Sequence, residues 1–307
     1  MIAREVTAGR ENGRRRPKGY ADWKPQTRTR VLLAQVAEVL DEYHCYLPLT
    51  VRQVFYRLVG AHGYEKSEAA YGRLAEALVR AGRARLIPFE QIRDDGVSVY
   101  PVSWYSGVDS FHEETARRAK AYRRDRLSGQ GLAIELWTEA AGIAPQLAHV
   151  AHEYSVEVYS SGGFSSLTAV REIVARACRQ SRTLVLHVGD YDPSGEAIFE
   201  SVAEDATAFF HEDKQLANEQ LLFERVALTA EQVERYELPT APAKASDTRS
   251  RSWSGATCQL EALAPDQLAR IVEDAIQRHI DLSIYRRQLE RERAERAELL
   301  GLPRGAA

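Results

Sequence analysis

From Thr29 the apolar positions recur with a helical period: Val31, Leu32, Val36, Val39 and Leu40 share one face. The stretch PLTVRQVFYRLVGA keeps that period. Thr50 stands where a cap is needed, which predicts a second helix to about Val59, ended by Gly60 and Gly63. SEAAYGRLAEALVRAGRARL predicts a third helix, capped by Ser67 and striped by Tyr71, Leu74 and Leu78. The period then falls to two. GVSVYPVSWY alternates β-branched and aromatic residues, and Pro101 confines it to an edge or a wing. Three helices followed by short strands predict a winged-helix domain over residues 26–105, in which the later helix docks in a major groove. Residues 106–130 predict a basic helical connector.

After Gly131 the pattern changes class. LAIELWTE leads to the helical GIAPQLAHVAHEY, and SVEVYS leads through SGGFSS to LTAVREIVARAC. TLVLHV leads through GDYDPSG to EAIFESVAEDATAFF, and LLFERVAL follows. Strand–helix alternation at this spacing predicts an α/β domain over 131–285 with a mainly parallel sheet and helices on both faces. Functional groups in such sheets gather at the carboxyl ends of the strands. Glu139, the loop of Gly162, Gly163 and Ser165, Asp190 and Asp192 all fall there. The tail from 286 to 307, within SIYRRQLERERAERAELL and beyond, mixes signs at i,i+4 spacing. It reads as a solvent-facing helix, with oligomerisation as its other use.

Composition and charge change the picture in two places. The 307 residues suffice for one large domain or two ordinary ones, and 44% hydrophobic with 28% charged is ordinary globular usage. No apolar run approaches the roughly 18 residues that cross a bilayer, and MIAREVTAGRENGRRRPKGY has no apolar core after its charges, so a cytoplasmic protein is expected. Cys45, Cys178 and Cys258 are odd in number and far apart, which offers neither a disulfide framework nor a zinc knuckle. No Gly-rich phosphate loop is present to suggest ATP hydrolysis. The net charge of -3 conceals segregation: residues 1–30 hold nine Arg and Lys against three acids, and RRAKAYRRDR at 117–126 holds six bases and one acid. Residues 1–25, rich in Arg and Gly without apolar periodicity, read as a flexible basic arm. Local fields of this kind suit a polyanion, although a basic run is equally a solvated face. Arg73, Arg80, Arg83 and Arg85 on or just past the third helix, and Lys244, Arg249 and Arg251 in a Pro- and Ser-containing loop, are the candidate DNA contacts.

The chemistry concentrates in GDYDPSG. Asp190 ends a buried strand and Asp192 follows it by two, on a turn stiffened by Pro193 and relieved by Gly195. Two carboxylates so confined repel unless a cation lies between them, and Mg²⁺ is the hard ion that takes one or two carboxylates and keeps waters for a phosphate to displace. Glu139 at another strand end supplies a third carboxylate, and such a set acts on phosphodiesters. The competing reading of an Asp in this position is a helix cap. Glu135 shares the parity of Glu139 but lies inside its strand, where it needs a buried partner. His187, inside its strand, reads as a core histidine, and His44 and His62 as structural ones.

A glutamate ending one strand and an Asp-x-Asp ending a later one resemble the Toprim signature. The likeness goes further. LTVRQVFYRL at 49–58 resembles the tyrosine-bearing helix of the A subunit of type IIB DNA topoisomerase VI and of the related meiotic double-strand-break protein, and GDYDPSGEAI resembles their Asp-x-Asp-Pro-x-Gly segment. LTAEQVERYELPTAPAKASDTRSRSW with QLEALAPDQLARIVEDAI resembles C-terminal segments of bacterial relatives. The resemblance spans roughly residues 30–285 and implies a winged helix before a Toprim domain. It implies Mg²⁺ on Glu139, Asp190 and Asp192, Tyr56 as the nucleophile that becomes joined to a DNA 5′ end, and Arg52 beside the same phosphate. It also implies double-stranded DNA as partner, a homodimer in which each Tyr56 reaches the other protomer's metal site, and a separate ATPase or SMC-like partner. Ala140 stands where the family has a lysine after its glutamate. Three other readings remain open: a hydrolytic Toprim nuclease of defence or plasmid restriction with Tyr56 in the core, a non-catalytic DNA-binding subunit, and a Toprim protein acting on RNA.

Overall fold

The computed structural model describes residues 20–93, 102, 104–160, 167–214, 220–243, 253 and 255–301. Most of the basic arm, most of the expected wing, the loop of Gly162, Gly163 and Ser165, and Lys244, Arg249 and Arg251 lie outside the described residues. The chain divides into two compact units, residues 1–58 with 62–93, and 59–61 with 94–307.

The first unit is built on three helices, α1 (Thr27–Glu42), α2 (Val51–His62) and α3 (Glu68–Arg83). Its local signals act as expected at the helix starts. Thr50 and Gln53 close a reciprocal capping box, each side chain accepting the other's backbone N–H. Ser67 accepts the N–H of Ala70 at 3.1 Å. At the end of α2 only one of the two expected glycines acts: Gly60 lies within the helix, and Gly63, at φ 61°, terminates it in the left-handed conformation. The buried face of α1 is Leu33, Val36, Val39 and Leu40, rotated from the expected stripe, so that Val31 is exposed. A short parallel pair, β1 (Leu49–Thr50) with β2 (Ile92–Arg93), joins the start of α2 to the segment after α3. Trp104 and Tyr105, at the end of the run that predicts a wing, are exposed and belong to no strand.

The second unit begins with α4 (Val108–Lys120). It continues as β3 (Ala133–Thr138), α5 (Ala144–Ala151), β4 (Glu157–Ser160), α6 (Leu167–Ala177), β5 (Arg182–Val188), α7 (Pro193–Lys214) and β6 (Gln220–Ala227). These four strands pair parallel throughout in the order β4-β3-β5-β6, the mixed α/β architecture that the strand–helix alternation predicts. Helices α6 and α7 bury Ile173, Val174, Ala206 and Phe210 against Trp137, Val185 and Leu221 of the sheet. Residues of the opposite parity, Ile134, Leu136, Leu184 and Leu186, are buried too, which is why these strands read as continuous apolar runs. The chain then forms α8 (Ala230–Arg235), an antiparallel pair of β7 (Ala241–Pro242) and β8 (Ala256–Thr257), α9 (Pro265–His279) and α10 (Leu282–Leu299). Among the described residues no helix is long and apolar enough to cross a membrane.

The expectation for α10 is corrected. Its alternating charges do not simply face solvent. Glu292 and Arg126 of the basic connector form a two-point ion pair at 2.8 and 2.9 Å, with side chains only 3% and 6% exposed. Arg124 donates from its backbone N–H to Glu292 and from its side chain to Gln288 and Glu295. Tyr122 donates to Glu295 at 2.7 Å. The acids of the helix match the bases of RRAKAYRRDR, a pairing between segments more than 150 residues apart.

Candidate functional site

The sheet register builds the site. Thr138 pairs with Val188, so β3 and β5 end level, and Glu139 and Gly189–Asp190 leave the sheet side by side. Beyond β5 the chain is held from two directions. Gly189 exchanges backbone hydrogen bonds with Ala227 and Leu228 at 2.7 Å, and Tyr191 exchanges two with Cys258 at 2.8 and 2.9 Å. Asp190 Oδ1 accepts the N–H of Leu260 at 2.8 Å. Asp192 immediately precedes α7 and its Oδ1 accepts the N–H of Gly195 at 2.7 Å, so one of its oxygens performs the capping role. Gly195 matters for space and not for a strained φ: a Cβ there would stand 2.9 Å from the Asp190 carbonyl oxygen and 3.3 Å from Asp192 Oδ1.

Glu139 carries the electrostatic signature. Burial, then Asp190, push its carboxyl up to about 7, Arg225 opposes them, and Asp192 adds to the rise. Its Oε1 is buried and makes no hydrogen bond among the described residues. Nε2 of His187 is 3.9 Å away. Burial, and after it Arg225, bring that imidazole down to about 3, so it is neutral at pH 7 and the two do not form an ion pair. As expected of a core histidine it is buried, with its ring stacked on Phe199 at 4.7 Å.

Arg225 is the residue that sequence reasoning misses. It lies on β6 opposite His187. Its Nε donates to the Leu228 carbonyl at 3.1 Å, Nη1 to that of Gly195 at 3.5 Å and Nη2 to that of Asp190. Burial pushes it below the usual arginine range, opposed by Glu196, Glu139, Asp192 and Asp190. A lone base inside LLFERVAL is the only signal it leaves in the sequence.

The raised pKa of Glu139 has a sign that can be tested. A folded-state pKa of about 7 against 4.5 means that the native state holds the proton more tightly than the unfolded chain. The contribution of Glu139 to stability is therefore fully present below pH 4.5 and is lost as pH rises toward 7, by about 3 kcal/mol in all. In EDTA, Glu139→Gln is expected to match wild type near pH 4.5 and to exceed it at pH 8 by thermal unfolding. Parallel pH profiles would mean that Glu139 titrates normally.

The remaining expected residues are placed as follows. Glu135 finds the partner it needs: the half-buried Arg176 donates to both its oxygens at 2.7 and 2.9 Å, and Trp137 Nε1 adds a bond at 3.0 Å. Tyr56 is 5% exposed, with its ring edge-on to Phe55 at 5.4 Å, while Arg52 one turn earlier is exposed. Arg73 pairs with Glu65 at 2.9 Å and Arg80 with Glu76 at 2.5 Å. Arg83 is half-buried, and Arg85 lies 4.2 Å over the ring of Tyr20. Glu139, Asp190 and Asp192 are brought to the carboxyl ends of the two central strands, and Glu139 feels the charge of both aspartates. Even so, among the described residues no three carboxylate, imidazole or thiolate groups stand close enough to share one ion. The three carboxylates are oxygen donors of the kind a hard divalent cation takes, and holding one would require them to draw together. No protein-family model matches the chain, and no curated protein matches it significantly.

Proposed function

We propose that the chain binds double-stranded DNA and cuts phosphodiester bonds with Mg²⁺, through a winged-helix first unit and a Toprim-type second unit. The observation that carries this reading is Glu139, a half-buried carboxylate just past a strand end beside Asp190 and Asp192, with one oxygen buried and its pKa raised to about 7. Structural carboxylates elsewhere in the chain, Glu135 and Glu292, have arginine partners on both oxygens; Glu139 has none among the described residues. Glu139, Asp190 and Asp192 would hold the ion, and when bound it would supply charge stabilisation to the phosphate oxygens. The protein's own groups do the rest. Leu260 and Gly195 orient the two aspartates through their N–H groups, and the neutral His187, its ring stacked on Phe199, lies 3.9 Å from Glu139. The DNA contacts proposed are Arg52, Arg73, Arg80, Arg83 and Lys244, with the arm of residues 1–25. The acid partners of Arg73 and Arg80 lie on the surface, where such pairs contribute little and exchange readily for phosphates. The homodimer and a separate ATPase or SMC-like partner rest on the resemblance alone.

The nucleophile divides this proposal in two. The resemblance points to Tyr56. Its burial against Phe55 supports attack by water instead, because a phenol with a pKa of about 10 needs access and a proton acceptor to attack at pH 7. Tyr56→Phe keeps the ring and its packing and removes only the hydroxyl. We expect this variant to cut DNA at close to the wild-type rate, and denatured reactions of either protein to leave DNA ends free of polypeptide. Protein joined to 5′ ends in wild type, with no cutting by Tyr56→Phe, would make tyrosine the nucleophile.

A further inference from the structure

A single guanidinium spans the turn that carries both aspartates. Arg225 sits among Glu139, Asp190, Asp192 and Glu196, yet its bonds go to carbonyl oxygens: Asp190 at the start of the turn, Gly195 in the first turn of α7, and Leu228 just beyond β6. We infer that Arg225 is a positioning residue that acts through Asp190 and Asp192, tying both ends of their turn to the end of β6 so that the two carboxylates stay beside Glu139 with no cation between them. This inference rests on the function proposed above.

The hydrogen bonds converge on the same two residues. Asp190 gives its carbonyl to Arg225 while its carboxylate accepts from Leu260. Gly195 gives its carbonyl to Arg225 while its N–H is taken by the Asp192 carboxylate. Each aspartate is thus coupled to the guanidinium through a single residue, Asp190 through its own carbonyl and Asp192 through Gly195. The packing is tight enough for that coupling to act, since a methyl group at position 195 would already collide with the Asp190 carbonyl. The load on the tether is electrostatic: the charges of Asp190 and Asp192 disfavour an ionised Glu139, and the same repulsion pushes the turn away from β3. A planar fork with five N–H groups can hold three carbonyls in fixed directions. A lysine ammonium in the same place keeps the charge but not the fork.

The test uses the full chain without metal, as wild type, Arg225→Lys and Arg225→Gln. Amide hydrogen exchange is read at Gly195 and Leu260, whose N–H groups bond the two carboxylates, and at Leu184 and Leu186 in the middle of β5. Mg²⁺ affinity is then measured by calorimetry on the same three proteins. If Arg225 positions the turn, both variants exchange at Gly195 and Leu260 at least ~10-fold faster, with β5 unchanged. Both also bind Mg²⁺ about tenfold more weakly, the lysine variant included. Wild-type behaviour in Arg225→Lys would mean that charge alone is needed and would overturn the proposal. So would equal acceleration in β5, or two variants that fail to fold, since Arg225 would then be a general structural residue. A wild type that binds no Mg²⁺ would remove the metal reading, while the exchange pattern would still decide the role of Arg225.

Discussion

Glu292→Ala is expected to cost about 3–5 kcal/mol, among the largest losses available from one side chain outside the core. The change strands Arg126, whose side chain is 6% exposed and donates two of its bonds to Glu292. It also leaves the backbone N–H of Arg124 without its 3.0 Å acceptor. Arg126 keeps Glu153 as a second partner at 2.9 Å, which limits the loss. Changing both partners, Arg126→Met with Glu292→Leu, is expected to cost less than the sum of the single changes, because no charge is then left buried. The pH dependence has the opposite sign to that of Glu139. The hydrogen bond from Arg126 holds the Glu292 carboxyl below the usual carboxylate range. Its contribution is therefore present above the ordinary carboxylate pKa and is lost as pH falls through the lowered value. Urea unfolding would measure the loss, and hydrogen exchange would place its onset in α10. A Glu292→Ala protein within about 0.5 kcal/mol of wild type would show the pair to be incidental.

That pair also marks a limit of sequence reading. Charge alternation along 282–299 is visible, but the bases it meets are far away in sequence, and a helix with mixed signs looks the same whether it faces water or another segment. Arg225 is hidden for a related reason. Its significance depends on β6 lying next to β5, and strand order is a property of the whole sheet. Local signals are far more legible. Thr50, Ser67 and Gly63 mark helix ends through bonds made within a few residues. The apolar runs that make β3 and β5 stop where the sheet stops, which is why Glu139, Asp190 and Asp192 can be picked out from their positions alone. Glu135 shows both sides: its need for a partner is readable, while the identity of Arg176 awaits the packing of α6 on the sheet. Asp192 is both a helix cap and a member of the carboxylate group, so the two readings of that residue describe different oxygens or different moments, and not rivals.

Asp192→Asn is expected to lower DNA cleavage about a thousandfold or more, since the several kcal/mol of charge stabilisation that a metal gives a phosphodiester would be largely lost. The substitution is chosen to spare the fold. An asparagine oxygen still accepts the N–H of Gly195, so the start of α7 is retained. One charge fewer beside Glu139 relieves repulsion, and metal-free stability should stay within about 1 kcal/mol of wild type or rise. Asp190→Asn should behave alike, with the bond from Leu260 kept. Glu139→Gln should lose cleavage while gaining stability at pH 8. This inverse relation separates a functional cluster from a structural one, in which each change would destabilise.

The most direct measurement is cleavage of a supercoiled plasmid by the full chain in Mg²⁺, in EDTA, and with Asp192→Asn in Mg²⁺, with DNA binding followed in each case. The account predicts cut plasmid for wild type in Mg²⁺ alone, with all three samples still binding DNA. Cutting that persists in EDTA or in Asp192→Asn would contradict it, as would a wild type that binds the plasmid and leaves it intact in Mg²⁺.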